Sequence, residues 1–588
     1  MNTLSADTIA HQADADAVDL SERRIENSLK SGATDSPGRV VVAYFTPRDR
    51  APANNHTERI RRIVEEAATF YGRELNRHGF SDRQMSVLRD DDGEVEVIDV
   101  VGKDDDKDYG KPDGRRIREE TVAVLRARKI DPQKIVLLLF CNLMDYDPVQ
   151  SKISHHSPYY GGGSHLSGTA WQCDSEILDP LRFRDSTPIL DGEYGRITIG
   201  RHNSIFIGGV IHELGHALSL PHCRQRKDES VRGTALMGSG NRTYAQQLRK
   251  EGRGTFLTQA HAMRLAAHPV FNERVGQSLY DQPKTDWSDV DIKTGSLGSI
   301  QIEGRVSATV PIHALIAYFD PEGGGDYDAT TATAVPGSEG EFAMRSGALR
   351  KDKSAELRLV ACHVNGSTST QKFAYSVDSD GRVDLSKIRI ARDLAPVLDA
   401  LRRSSLVEAK RERKRLAHDD ESLRTIGQRV LDRFERRELS RSIDPNSNSS
   451  DATSIPLTRL TPSTAQVGWI RPTYDAVPEK QSLLSIDGDF FATGIYAHAP
   501  AKHEYQIDGA WKRLTGQCGL QSGHPGKVNF EVLGDGKMLW QSETIAPGPG
   551  NHFDIDITGI KTLSLRVGDG GNGTGADWGV WIEPQLTR

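Results

Sequence analysis

The residues whose types and spacing could do chemistry lie in one stretch, I-H-E-L-G-H-A-L-S-L-P-H, from Ile211 to His222. On a helix, residues four apart share a face with Cβ atoms about 5–6 Å apart, so His212 and His216 can hold one metal ion between them. If that ion is zinc, each imidazole nitrogen sits about 2.0–2.1 Å from it. Glu213 stands one residue round the helix, where its carboxylate can reach a water on the ion without ligating it. Leu220-Pro221 ends the helix, because proline cannot continue it and biases the preceding residue away from helical geometry. His222 is then free to swing back as a third ligand, and three neutral imidazoles leave a fourth position open, as a catalytic site requires. The competing reading is a chance helix surface. With 19 histidines in 588 residues, the full pattern arises by chance roughly once per thousand chains of this length. His155, His156 and His165 fall in a loop and read as solvated histidines, with accessory metal ligation as the alternative.

The elements that must position this stretch follow from hydrophobic periodicity. VVVAYF (Val40 to Phe45) reads as a buried strand, and residues 57–77 place Ile60, Ile63, Val64, Ala67, Phe70, Tyr71 and Leu75 on one helical face. EVEVIDVV (94–101), a helix over 115–128 and KIVLLLF (134–140) continue the alternation, the rhythm of an α/β layer with a largely parallel sheet. A last helix over 258–267 closes the unit near residue 275. Before it, residues 1–36 are polar and read as a loose tail. After it, residues 285–385 are short alternating segments between Gly, Asp and Ser clusters, which fits a small β-sandwich. Residues 386–441 are charged and helical, with Leu416, Leu423 and Val430 seven apart and Ile426 and Phe434 on the same stripe. Fewer than three or four heptads are sustained, so a packed hairpin or spacer is favoured over a coiled-coil dimer. Residues 442–455 read as a linker.

With those elements in place, the chain resembles the metzincin metallopeptidases, whose signature is HExxHxxGxxH followed by a turn containing Met. His212, Glu213, His216 and His222 match it position by position, and Met237 stands where the Met-turn residue would form an apolar floor under the metal. The resemblance covers residues 37–275 and implies a zincin fold, a Zn2+ cofactor and hydrolysis of peptide bonds with Glu213 as the base. It also places an edge strand for an extended substrate near Gly168 to Gln172. One position departs: Ser219 stands where the family has glycine, and left-handed backbone costs an L-residue about 1–2 kcal/mol. Cys173 and Cys223 could meet near the cleft and bridge, or Cys223 could be a small buried residue.

Residues 456–588 are β-patterned and rich in Gly and Trp. Asp535-Gly536 is a strong two-residue hairpin signal. The ordered series from Gly494-Ile495 and His498-Ala499 to the closing A-D-W-G-V-W (576–581) resembles the novel putative carbohydrate-binding module (NPCBM) family. That resemblance implies a galactose-binding-like β-sandwich. Sugar recognition needs an exposed aromatic face with polar neighbours, and among Trp511, Trp540, Trp578 and Trp581 most should be core. Asp577 and Trp578, beside the glycine-rich run 568–575, are the most loop-like and are the expected sugar contacts. Loop carboxylates and carbonyls could also hold a structural Ca2+.

The expected fold class is therefore multidomain α+β: a metzincin-like α/β catalytic domain, a small β-sandwich, a helical spacer and a C-terminal galactose-binding-like β-sandwich. Lys+Arg number 75 and Asp+Glu 82, a net charge of −7, which argues against a nucleic-acid-coating protein. No stretch approaches about 18 consecutive apolar residues, so no membrane span is expected. The N-terminus has neither a basic n-region nor an apolar h-region, yet glycan partners and the peptidase resemblance both point outside the cell, so secretion is the expectation. The expected function is a zinc endopeptidase whose C-terminal module targets it to glycans or glycoproteins. The alternative is a non-enzymatic glycan-binding or adhesive protein with a degenerate metal site, against which the intact Glu213 argues.

Overall fold

The computed structural model describes residues 6–30, 32–321, 327–416, 421–441, 453–478, 483–524, 526–571 and 573–588. It divides into two units: Met1–Phe319 with Asp326–Leu349 and Leu357–Gln371, and Asp320–Gly325 with Arg350–Glu356 and Lys372–Arg588.

The first unit is organised by a five-stranded sheet in the order Val97–Val101, Val40–Thr46, Val136–Cys141, Gly168–Cys173, Tyr160–Gly163. The first four strands are parallel and the last runs antiparallel at the edge. Both faces of Val40–Thr46 are covered, which is why that strand is apolar without alternation. Val40, Val42 and Tyr44 share a core with Ile60, Ile63, Phe70 and Tyr71 of the helix His56–Arg77 and with the helix Ile199–Ala217. Val41, Ala43 and Phe45 point the other way, onto Ile117 and Leu125 of the helix Gly114–Ala127.

The fold departs from the sequence expectation at three places. Residues 1–36 are not a loose tail: Ala6–Leu29 is helical, Val18 and Ile25 are buried in the main core, and Ala33–Asp35 pairs with Arg274–Gly276. Among the side chains of this helix that are described, few are buried, too few to raise a polar segment above the sequence background. The expected boundary near 275–285 is not a break in packing either. Ala314, Ile316 and Tyr318 of the strand Ile312–Asp320, with Val360 and Cys362, belong to the same hydrophobic cluster as the site helix. Third, Gly168–Cys173 lies inside the sheet; the edge is Tyr160–Gly163.

In the second unit, Ser386–Arg402, Leu406–Arg415 and Glu421–Arg441 are three helices. They pack through Leu394, Val397, Leu398, Leu423, Val430 and Phe434. The expected linker lies mostly outside the described residues, and its last residues enter the strand Ser454–Pro456. From there to the C-terminal end the chain forms a β-sandwich. One sheet runs Ser454–Pro456, Gly579–Thr587, Arg513–Leu520, Asn551–Asp556, with Gly494–Tyr496 also on Gly579–Thr587. The other runs Thr464–Gln466, Ala501–Gln506, Thr562–Gly568, Asn529–Gly534, Lys537–Gln541. Leu514, Phe530, Val532, Leu565 and Trp581 are buried in one cluster between them. The hairpin turn at Asp535-Gly536 forms with φ of 48° and 80°, joining Gly534 to Lys537; positive φ at both central residues matches the strand twist.

Candidate metal centre

The site helix Ile199–Ala217 begins at Thr198, whose hydroxyl accepts from the Arg201 N–H at 3.1 Å. Its end is a two-bond cap: the Ser219 N–H donates to His216 O and the Leu220 N–H to Gly215 O, each at 2.9 Å. This is the Schellman arrangement, which needs a left-handed residue after the helix. Ser219 supplies it with φ 71°, so the position where the resemblance asks for glycine does carry the glycine-favouring backbone. The turn aims the chain through Pro221 to His222.

His212, His216 and His222 offer ligand nitrogens that all lie within 4.8 Å of one another. The His212 and His222 Nε2 atoms are 3.3 Å apart, and those of His216 and His222 2.9 Å. Two nitrogens bound tetrahedrally to one zinc would stand about 3.4 Å apart, so the spacing fits that ion closely. Each helical histidine donates its other ring N–H to a backbone carbonyl: His212 Nδ1 to Leu236 O at 2.7 Å, His216 Nδ1 to Leu220 O at 2.8 Å. These bonds fix the tautomer that leaves the Nε2 lone pairs facing inward. Burial, reinforced by the neighbouring His216, pushes the His212 pKa down to about 3, and burial also lowers that of His216. Both rings are therefore neutral, the form that binds metal.

Glu213 is half-buried, and loss of solvent pushes its pKa up to about 8, opposed by a hydrogen bond from the Gly161 backbone. Gly161 belongs to the edge strand, which presses directly on the site helix. A Cβ at Gly161 would lie 2.1 Å from Glu213 O, and one at Gly163 2.1 Å from Ala217 O, while Gly162 meets nothing. The glycine run thus reads with the two-residue period of a strand, its odd members facing the helix. Met237 is fully buried beneath the helix; a Cβ at Gly215 would strike its sulfur at 2.6 Å. The same turn presents Leu236 O to His212 and Met237 O to the Cys223 N–H.

Tyr327 lies outside every expectation drawn from the sequence. Its ring stacks on His222 at 3.8 Å and 26° while remaining 53% exposed, and Glu213 raises its pKa after burial does. It stands 105 residues beyond His222, so no local spacing could have signalled it. The five cysteines are free and buried; Cys223 Sγ lies 3.5 Å from Thr258 Oγ1 instead of bridging Cys173. His155 and His156 pair with Glu193 and Asp106, and His165 is buried against Leu279 O. Among the described residues no other His, Cys, Asp or Glu group converges in this way.

The expected sugar contacts are corrected. Trp578 is 6% exposed, its ring covered by His524 stacked at 4.1 Å and 15° and flanked by Tyr496. Asp577 is buried; its Oδ1 accepts from the Lys527 N–H at 2.9 Å, its Oδ2 has no hydrogen-bond partner among the described residues, and burial pushes its pKa up to about 6. The loop folds inward because tryptophan buries large apolar area, and loop-like composition does not report that.

Residues 453–587 match the NPCBM/NEW2 domain family, so the chain carries a domain of that family at its C-terminal end. No curated protein matches. Among solved structures, the chain is similar to catalytically inactive OgpA from Akkermansia muciniphila in complex with an O-glycopeptide (glycodrosocin) substrate. That match is 23% identical and covers 58% of this chain and 94% of that one, with a TM-score of 0.49. A second is the M60 catalytic domain with the CBM51-1 and CBM51-2 domains of ZmpB from Clostridium perfringens, 14% identical over 69% of this chain and 41% of that one, TM-score 0.23. A third is CBM51 from Clostridium perfringens GH95 in complex with methyl-galactose, 25% identical over 23% of this chain and 100% of that one, TM-score 0.22. No helix among the described residues is long and apolar enough to cross a membrane.

Proposed function

We propose that this protein is a secreted zinc-dependent endopeptidase of the metzincin type, directed to glycoproteins by its C-terminal module. The observation that carries the reading is the convergence of three imidazole nitrogens beside Glu213, with the two helical rings held by carbonyls in the ligating tautomer. A zinc ion held by His212, His216 and His222 would supply positive charge that polarises the scissile carbonyl and acidifies the attacking water. Glu213 accepts the water's proton and returns it to the leaving amine. Gly161 steadies the Glu213 carboxylate, and Met237 fills the space beneath the helix so that the ligands keep their rotamers. Tyr327 covers His222 from the solvent side and presents an aromatic wall to the substrate. The NPCBM/NEW2 domain supports the carbohydrate half of the reading.

The test is metal content together with cleavage of a glycoprotein, comparing the wild type with Glu213→Ala. One zinc per chain in both proteins, with cleavage reduced by at least about 100-fold in the variant, is expected. Zinc in both and cleavage by neither would favour a glycan-binding protein with an inactive centre. A wild type without stoichiometric metal would overturn the proposal.

A further inference from the structure

The second unit contains a cleft of about 330 Å³ where the three-helix segment meets the sandwich. Its wall carries three guanidinium groups, Arg402, Arg437 and Arg471, against one carboxylate, Asp475. Tyr474, half-buried, lines the cleft beside them, while Phe434 is buried at its base. Asp475 is engaged, since its Oδ1 accepts from the Gly494 N–H at 3.2 Å. Arg437 lies over the Phe434 ring at 4.5 Å, donates to Ala492 O and pairs with Glu438, so its position is fixed. Arg402 pairs with Asp399 at 2.7 Å, but both side chains are nearly half exposed. Such an exposed pair is weak and yields readily to a better anion. Arg471 is exposed and has no acidic partner among the described residues. Two residues before it, Trp469 is 58% exposed, the one tryptophan among the described residues with a mostly open ring.

A volume of this size holds one sugar unit. Guanidinium forks recognise carboxylate and sulfate oxygens through paired charge-assisted hydrogen bonds. We propose that this cleft binds the anionic terminus of a glycan, a carboxylated or sulfated sugar, with Arg471 as the principal contact. The inference rests on the carbohydrate-module reading of residues 453–587 and specifies the charge of the ligand.

The test is calorimetric binding of the full-length protein to three sugars: lactose, sialyllactose and sulfated lactose. One or both charged sugars should bind about tenfold more tightly than lactose, the loss of a charged contact being of that order. The tighter of the two identifies carboxylate or sulfate. Arg471→Glu, at an exposed position with no change in melting temperature, should abolish the preference for the charged sugars. Equal binding of all three sugars, or a preference that survives Arg471→Glu, overturns the anionic cleft and leaves the carbohydrate module standing. Binding of none overturns both.

Discussion

Around His212 and around Trp578 the chain brings aromatic and acidic side chains together in similar numbers, with opposite results. At His212 three ring nitrogens face one another across a space too small for anything but an ion, and Glu213 follows His212 on the same helix. At Trp578 the ring is sealed between His524 and Tyr496, and the Asp577 carboxylate points into protein. The first arrangement aims three ring nitrogens at a single point. The second has turned similar residues into core. Residue type is therefore no guide to function until the direction of the polar atoms is known.

That contrast can be broken or sharpened by experiment. If Trp578 is core, Trp578→Ala should destabilise the second unit by about 3–5 kcal/mol in chemical denaturation, whereas Trp469→Ala should leave stability unchanged. Equal effects would return Trp578 to the surface.

The next largest effect concerns histidines that are buried without a ligand role. Burial pushes His268 and His313 down to about 3, from about 6.5 in the unfolded chain. Below pH 6.5 the unfolded state binds more protons than the native state, so stability falls as pH falls between about 6.5 and 3. At pH 5 each should cost up to about 2 kcal/mol relative to pH 7.5, and replacing His313 by Gln should flatten its share of the denaturation-against-pH slope.

Tyr327 ranks third. Tyr327→Ala should lower kcat/KM by about tenfold through loss of the wall on His222, with zinc content retained and Tyr327→Phe close to wild type, a change of about 1.4 kcal/mol. A Phe variant as impaired as Ala would assign the work to the hydroxyl instead of the ring. The smallest effect is at Ser219: Ser219→Gly removes left-handed strain and should raise stability by about 0.5–1 kcal/mol, read as a higher denaturation midpoint with activity unchanged.

Much of the first unit was legible because its signals are local. The parallel strands and covering helices follow from runs and periods within about twenty residues, and Asp535-Gly536 dictated its own turn. The polar N-terminal helix was not legible, since anchors such as Ser21 on His313 at 2.8 Å and Arg24 on Ile312 O at 2.7 Å are contacts between residues far apart in the chain. The supposed boundary at 275–285 failed for the same reason: composition shifts there, but Tyr318 and Val360 still pack into the earlier core.

The sequence by itself determined the spacing of His212, Glu213 and His216, because helical pitch converts a four-residue offset into one face, and it determined the end of that helix through Pro221. Only the tertiary structure decided that Tyr327 covers His222, that Tyr160–Gly163 is the edge strand, and that Trp578 is core while Trp469 is open. Each of those depends on which distant surface closes over a residue, and burial is a property of the whole packed chain that no local window of sequence contains.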